Sequence, residues 1–125
     1  MDPATSTSSV APRIVKVFDY DCPICEHLTA FDGNIIMGLK ERPHFSAVEL
    51  GQILNNPQEK PDYARYAYWL ERYACNDDYT LDLPVYLILR GKDYLGHING
   101  EITPSELRKG LEEKLNGTDI QGSGL

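Results

Sequence analysis

The sequence predicts an α/β fold in which a four-stranded mixed β-sheet is flanked by helices in the order β-α-β-α-β-β-α. Three observations predict it: a βαβ unit in the first half of the chain, a hairpin of two strands after residue 84, and a well-capped amphipathic helix that follows the hairpin. The first strand is Arg13 to Phe18, a short β-branched and mostly apolar run. Asp19 to Asp21 is a polar turn. A helix follows, with Pro23 in its first turn, where a missing N–H costs nothing. Leu28, Phe31, Ile35 and Leu39 recur at helical spacing and build one apolar face, with an interruption expected at Gly33. Phe45 to Leu50 is the second strand. One helix between two strands makes the pair parallel.

Asn55-Asn56-Pro57 reads as a loop, and Pro61 to Cys75 as a second helix rich in aromatics. Its expected inner stripe is Tyr66, Trp69 or Leu70, and Tyr73. Val85 to Leu89 is continuously apolar and is placed at the centre of the sheet. Arg90-Gly91-Lys92-Asp93 turns the chain into a fourth strand, Tyr94 to Asn99. The last helix opens on a Ser/Thr-x-x-Glu capping box, with Thr103 at the N-cap, Pro104 next and Glu106 reaching back, and it buries Leu107, Leu111 and Leu115. Residues 13–116 therefore form one domain, residues 1–12 are expected as a disordered tail rich in Ser, Thr, Ala and Pro, and residues 117–125 as a flexible C-terminal tail.

Of 125 residues, 42% are hydrophobic and 25% charged, an ordinary globular composition sufficient for one core. No apolar run approaches the roughly 18 residues that a membrane helix needs. Residues 1–12 have neither a basic nor an apolar signal-like region. The 12 basic and 19 acidic residues leave a net charge of −7, which opposes binding to nucleic acid or anionic membrane and suits protein partners that present basic patches. Three cysteines, Cys22, Cys25 and Cys75, are too few and too odd for a disulfide framework. They point to a reducing, cytoplasmic setting, where a close pair is catalytic or metal-binding.

Cys22-Pro23-Ile24-Cys25 stands where the first strand ends and the first helix begins. A helix N-terminus supplies free N–H donors and a positive dipole end, both of which favour a thiolate. One helical turn brings the second sulfur within reach of the first. Cys22 is thus the exposed nucleophile and Cys25 the shielded resolving thiol. The competing reading is half of a four-ligand zinc site, completed by Cys75 with His27, His44 or His97. No metal and no organic cofactor is expected. Cys75 is expected as a buried free thiol. His27, two residues beyond Cys25, faces away from it and is expected at the surface.

Taken together, the element order, the Cys-x-x-Cys position, Leu83-Pro84 immediately before the strand Val85-Tyr86-Leu87-Ile88-Leu89, and Gly91 and Gly100 about the last strand resemble the thioredoxin superfamily over residues 13–116. The resemblance implies a cis bond at Pro84 facing the cysteine pair. It also implies that the backbone of Leu83 meets the substrate strand, and that the protein reduces protein disulfides with an upstream reductase, as a monomer. The sequence departs from thioredoxin in three ways. Asp21 and Pro23-Ile24 stand in place of the family's Trp and Gly-Pro, a form closer to glutaredoxin and the bacterial disulfide oxidoreductases. Lys16 stands where the family has a buried acid. The segment before Pro84 is longer and carries the aromatic helix. Lys16 is expected either to snorkel at a strand edge or pair with an acid such as Glu49, or else to tune the cysteines together with Asp21. The alternative function is a non-catalytic binding or redox-sensing module that works through the aromatic helix 61–75, with Tyr63, Tyr68 or Trp69 at its surface.

Overall fold

The structure, a computed structural model, describes residues 11–56, 58 and 60–124. The expected tail over residues 1–12 lies outside the described residues as far as residue 10, and Pro12 already belongs to the first strand. Strand β1 (Pro12–Phe18) leads through a turn into α1 (Pro23–Thr29) and α2 (Asp32–Met37), then β2 (His44–Glu49), α3 (Leu50–Asn55) and α4 (Pro61–Trp69). A π-helical turn, Leu70–Ala74, prolongs α4, and β3 (Val85–Arg90), β4 (Asp93–Asn99) and α5 (Pro104–Gly124) complete the order. The backbone of residues 117–124 thus continues α5, where a tail is expected from the glycines. An isolated glycine costs a helix only about 1 kcal/mol and does not by itself end it.

The sheet has four strands in the order β2-β1-β3-β4. β1 runs parallel to β2 and antiparallel to β3, and β3 is antiparallel to β4, so the sheet is mixed and β1 and β3 are central, as the apolar run predicts for β3. The two faces of the central strands are sharply divided. Ile14, Tyr86 and Ile88 pack against Leu28, Ile35, Ile36, Leu107 and Leu111 of α1, α2 and α5. Val15, Val17, Val85, Leu87 and Leu89 pack on the other side, against Ile53, Tyr66, Trp69 and Leu70.

Local chemistry explains the elements. In the capping box, Thr103 N–H donates to Glu106 Oε1 at 2.9 Å and Glu106 N–H to Thr103 Oγ1 at 3.1 Å. Gly91 makes the β3–β4 turn at φ 63°, a left-handed conformation that a side chain disfavours. At Gly110 a Cβ would come within 2.8 Å of Ile98, so the missing side chain lets α5 lie close on β4.

Four expectations are corrected. The first helix breaks at Ala30 and Phe31 rather than at Gly33, because the N–H groups of Ala30 and Phe31 close a tight last turn on His27 O and Leu28 O. Gly33 then falls in the first turn of α2. The aromatic helix is regular only to Trp69. Cys75 N–H bonds Leu70 O, five residues back, and this wider turn changes the phase, so Ala74 is buried and Tyr73 is 48% exposed. Leu50 to Asn55 forms α3, a short helix between β2 and the Asn-Pro loop that the pattern does not announce. Cys75 is half-buried rather than buried. His27 is exposed, as its spacing implies.

Tyr73, Tyr94 and Trp69 form a stack, with Tyr94 ring centroids 4.6 Å from Tyr73 and 5.6 Å from Trp69. Tyr94 OH meets His97 Nδ1. Burial, and secondarily Lys114, hold the His97 imidazole below its ordinary pKa. The folded protein therefore binds a proton at His97 less readily than the unfolded chain. Stability falls as pH drops below the ordinary imidazole value of about 6.5. Urea denaturation between pH 7.5 and 5 is expected to show this loss, and His97→Gln to flatten it. In the same assay at neutral pH, Thr103→Ala is expected to cost about 1 kcal/mol through the lost cap, and Leu111→Ala about 2–5 kcal/mol through the cavity it leaves.

Candidate functional site

Strand β1 ends at Phe18 and delivers the chain through Asp19, Tyr20 and Asp21 to α1. Cys22 N–H donates to Asp19 O at 3.2 Å and Asp21 N–H to Asp19 Oδ1 at 3.2 Å, which closes the turn. Cys22 is itself the N-cap of α1, and its Sγ accepts the N–H of Cys25 at 3.0 Å. A sulfur thus takes the capping place that a Ser or Asp oxygen fills elsewhere, and it sits at the positive end of the helix dipole. The Cα atoms of Cys22 and Cys25 are 5.2 Å apart and the two sulfurs form a disulfide. Cys22 is half-buried, whereas Cys25 is only 3% exposed. The pair therefore has one accessible and one shielded sulfur.

Behind Cys25 lies the most consequential departure from expectation. Lys16 neither snorkels nor pairs with Glu49. It is 4% exposed, and its ammonium forms an ion pair with Asp32 Oδ2 at 2.6 Å. The other protons of Lys16 Nζ go to Thr29 Oγ1 at 2.8 Å and to Cys25 O at 3.2 Å, so all three ammonium donors find acceptors. Thr29 Oγ1 donates in turn to Cys25 O at 2.8 Å. Tyr86, paired with Lys16 across β1 and β3, donates its hydroxyl to the same Asp32 oxygen at 2.8 Å. Burial, reinforced by the Asp32 carboxylate, pushes the Tyr86 phenol far up, so it remains a donor at neutral pH. A cavity of about 370 Å³ connects this cluster to the cysteines. Lys16, Asp32, Thr29, Cys22 and Cys25 line it, and Phe18, Tyr20, Phe45 and Ala47 supply its apolar wall.

Asp32, Thr29 and Tyr86 escape a motif search, but Asp32 leaves a signal. It stands four residues after Leu28 and three before Ile35, on the apolar stripe of the first helix. A lone acid on an inner face and a lone lysine on a central strand are each other's natural partners. Asp21, by contrast, is exposed and lines an open cleft beside Cys22. The Leu83–Pro84 bond is cis, with Pro84 buried and Leu83 half-buried. Val17 pairs with Val85, so this bond and the turn into Cys22 leave the same end of the central strands. Pro84 O accepts from Gly100 N–H at 3.1 Å. Among the described residues no three of His, Cys, Asp and Glu gather where they could hold a metal ion, so Cys22 and Cys25 have no third zinc ligand there. Among the same residues, no helix is long and apolar enough to cross a membrane.

No protein-family model and no curated protein matches the chain by sequence. Solved structures do match it by shape. The thioredoxin of Fasciola hepatica aligns with a TM-score of 0.56 at 13% identity, covering 89% of this chain and 88% of that one. Mitochondrial thioredoxin 3 of Saccharomyces cerevisiae, in its oxidised form, gives 0.55 at 15%, covering 87% and 84%. Spinach chloroplast thioredoxin F gives 0.55 at 11%, covering 86% and 73%. With its four-stranded mixed sheet, its helices on both faces and a Cys-x-x-Cys pair at the junction of β1 and α1, the chain has the thioredoxin fold.

Proposed function

We propose that the protein is a thiol–disulfide oxidoreductase that acts on protein disulfides through Cys22 and Cys25. One observation carries this reading: Cys22 caps α1 with its sulfur, in front of a shielded Cys25 with which it forms a disulfide. In the reduced protein the Cys22 thiolate attacks one sulfur of a target disulfide. A mixed disulfide forms and the other target sulfur leaves as a thiolate, which takes a proton from solvent. The Cys25 thiolate then attacks Cys22 Sγ, the Cys22–Cys25 bond forms and the second target thiolate departs. An upstream reductase returns the pair to the dithiol. The half-buried Leu83 offers its backbone to the substrate chain beside the cis Pro84, and the acidic surface favours partners with basic patches. The protein acts as a monomer, without an organic cofactor, in a reducing compartment such as the cytoplasm.

The second reading, a binding or redox-sensing module, draws on the aromatic helix, where Tyr68 is 56% and Tyr73 48% exposed. Insulin reduction by dithiothreitol separates the two. An oxidoreductase speeds it, and a binding module leaves it at the background rate. Cys22→Ser is expected to abolish the acceleration, while Cys25→Ser traps a mixed disulfide visible by mass spectrometry. Absence of both effects refutes the proposal.

The same assignment predicts the order of labelling. Limited alkylation of the reduced protein is expected to modify Cys22 before Cys25, and preferential labelling of Cys25 would reverse the roles. A carboxylate beside a thiol disfavours its ionised form. Asp21→Asn is therefore expected to speed Cys22 alkylation at neutral pH about twofold, the size of an exposed charge interaction of about 0.5 kcal/mol.

A further inference from the structure

The second half of such an exchange poses a problem that the first half does not. Cys22 is capped, accessible and at the dipole end. Cys25 is almost fully enclosed, and burial alone favours its neutral, unreactive thiol. Something in its surroundings must favour the anion.

The groups that face it come from every neighbouring element. From β1 comes Lys16, from α2 Asp32 and from β3 Tyr86. The turn contributes Asp19 and Tyr20, and α1 contributes Glu26. From β2 only the uncharged Phe45 and Ala47 reach the cavity. The two charges are held differently. Lys16 Nζ lies 3.2 Å from the carbonyl oxygen of Cys25 itself, whereas the Asp32 carboxylate binds that ammonium at 2.6 Å and accepts from Tyr86 OH as well. The ammonium thus touches Cys25 directly, while the charge of Asp32 is shared between two donors. Tyr86 OH donates to the Asp32 carboxylate and so takes up part of its negative charge.

We propose that Lys16 is a positioning residue for the resolving step, its fixed ammonium favouring the Cys25 thiolate and anchoring the Cys25 carbonyl so that the sulfur is held against Cys22. This rests on the oxidoreductase reading and assigns the resolving thiol a positive charge as its activator, with no side-chain base. The proton of Cys25 leaves to solvent through the cavity, whose lining includes the exposed Glu26 and Tyr20. The electron pair left on sulfur forms the Cys22–Cys25 bond, and the departing target thiolate carries away the pair of the broken bond.

The test uses the full chain with Cys22→Ser and Cys75→Ser, which leaves Cys25 as the single thiol. The pH profile of its alkylation reads two quantities: the titration midpoint, and the plateau rate of the thiolate. Lys16→Met/Asp32→Leu removes both charges and retains bulk, and a buried pair replaced by apolar residues usually leaves folding intact. Lys16→Gln/Asp32→Asn, which removes both charges and keeps polar side chains able to hydrogen-bond each other, is the second variant should the first not fold. In either, the Cys25 midpoint is expected to rise by about one pH unit or more, with the plateau rate within about threefold of the parent. An unchanged or lowered midpoint overturns the proposal. So does a plateau that rises well beyond threefold, because a thiolate gains only about that much nucleophilicity per unit of pKa and a larger rise reports loosened packing. The titration needs no turnover. A shifted midpoint in a protein that fails to reduce insulin would refute the proposed function, and with it the resolving step, and leave only the effect of Lys16 on the Cys25 thiolate standing.

Discussion

Lys16 places an ammonium on the inner face of a central strand, where it is 4% exposed, and the cysteine end of this protein is arranged around that constraint. Removing an ammonium from water costs several kcal/mol unless close partners replace the lost hydration. Lys16 finds three of them, in Asp32, Thr29 and the carbonyl of Cys25. Each partner has a structural consequence. Asp32 has to face inward, and the chain closes α1 and restarts as α2 between Thr29 and Asp32. Tyr86, directly across the sheet, satisfies the carboxylate from the other side. The carbonyl bond fixes the backbone of Cys25 relative to β1. One ion pair thereby ties two strands and two helices to the cysteine pair.

The two cysteines differ although only two residues separate them. Cys22 meets the unpaired N–H groups of a helix terminus and the acidic turn of Asp19 and Asp21. Cys25, one turn further, meets the interior, where a charge acts through a lower dielectric and counts for more. The difference between an accessible and a shielded sulfur thus follows from a single helical turn, and the same helix supplies both environments.

Among the described residues, the opposite face of the sheet carries no buried ion pair; Arg13 and Asp62, which meet there beside Tyr66, are both partly exposed. Val15, Val17, Val85, Leu87 and Leu89 meet Ile53, Tyr66, Trp69 and Leu70 there, and the wider π-helical turn shifts Tyr73 out onto Tyr94. Its role is mechanical. It backs the central strands whose ends carry the turn into Cys22 and the Leu83–Pro84 bond, so that both leave a rigid edge.

Much of this was legible in the residues. Strand β3 announces itself as an unbroken apolar run, α5 by its capping box, and the Cys-x-x-Cys position by the strand before it and the proline after it, because all are local patterns of period or cap. The pairing of β1 with β3, the break at Ala30, the π turn and the short α3 were not, since each depends on which side chains another element presents. The same division separates the two halves of the site. The sequence by itself determined that Cys22 stands at a helix N-terminus and that Cys25 follows it one turn later, because a helix start and a turn involve neighbours in the chain. Only the tertiary structure decided that Lys16 is buried against Asp32 and Tyr86 rather than paired with Glu49. The spacing of Asp32 marks an acid on an inward face, but a charge buried between elements takes its partner from the packing of the whole sheet, and no spacing ties that acid to Lys16.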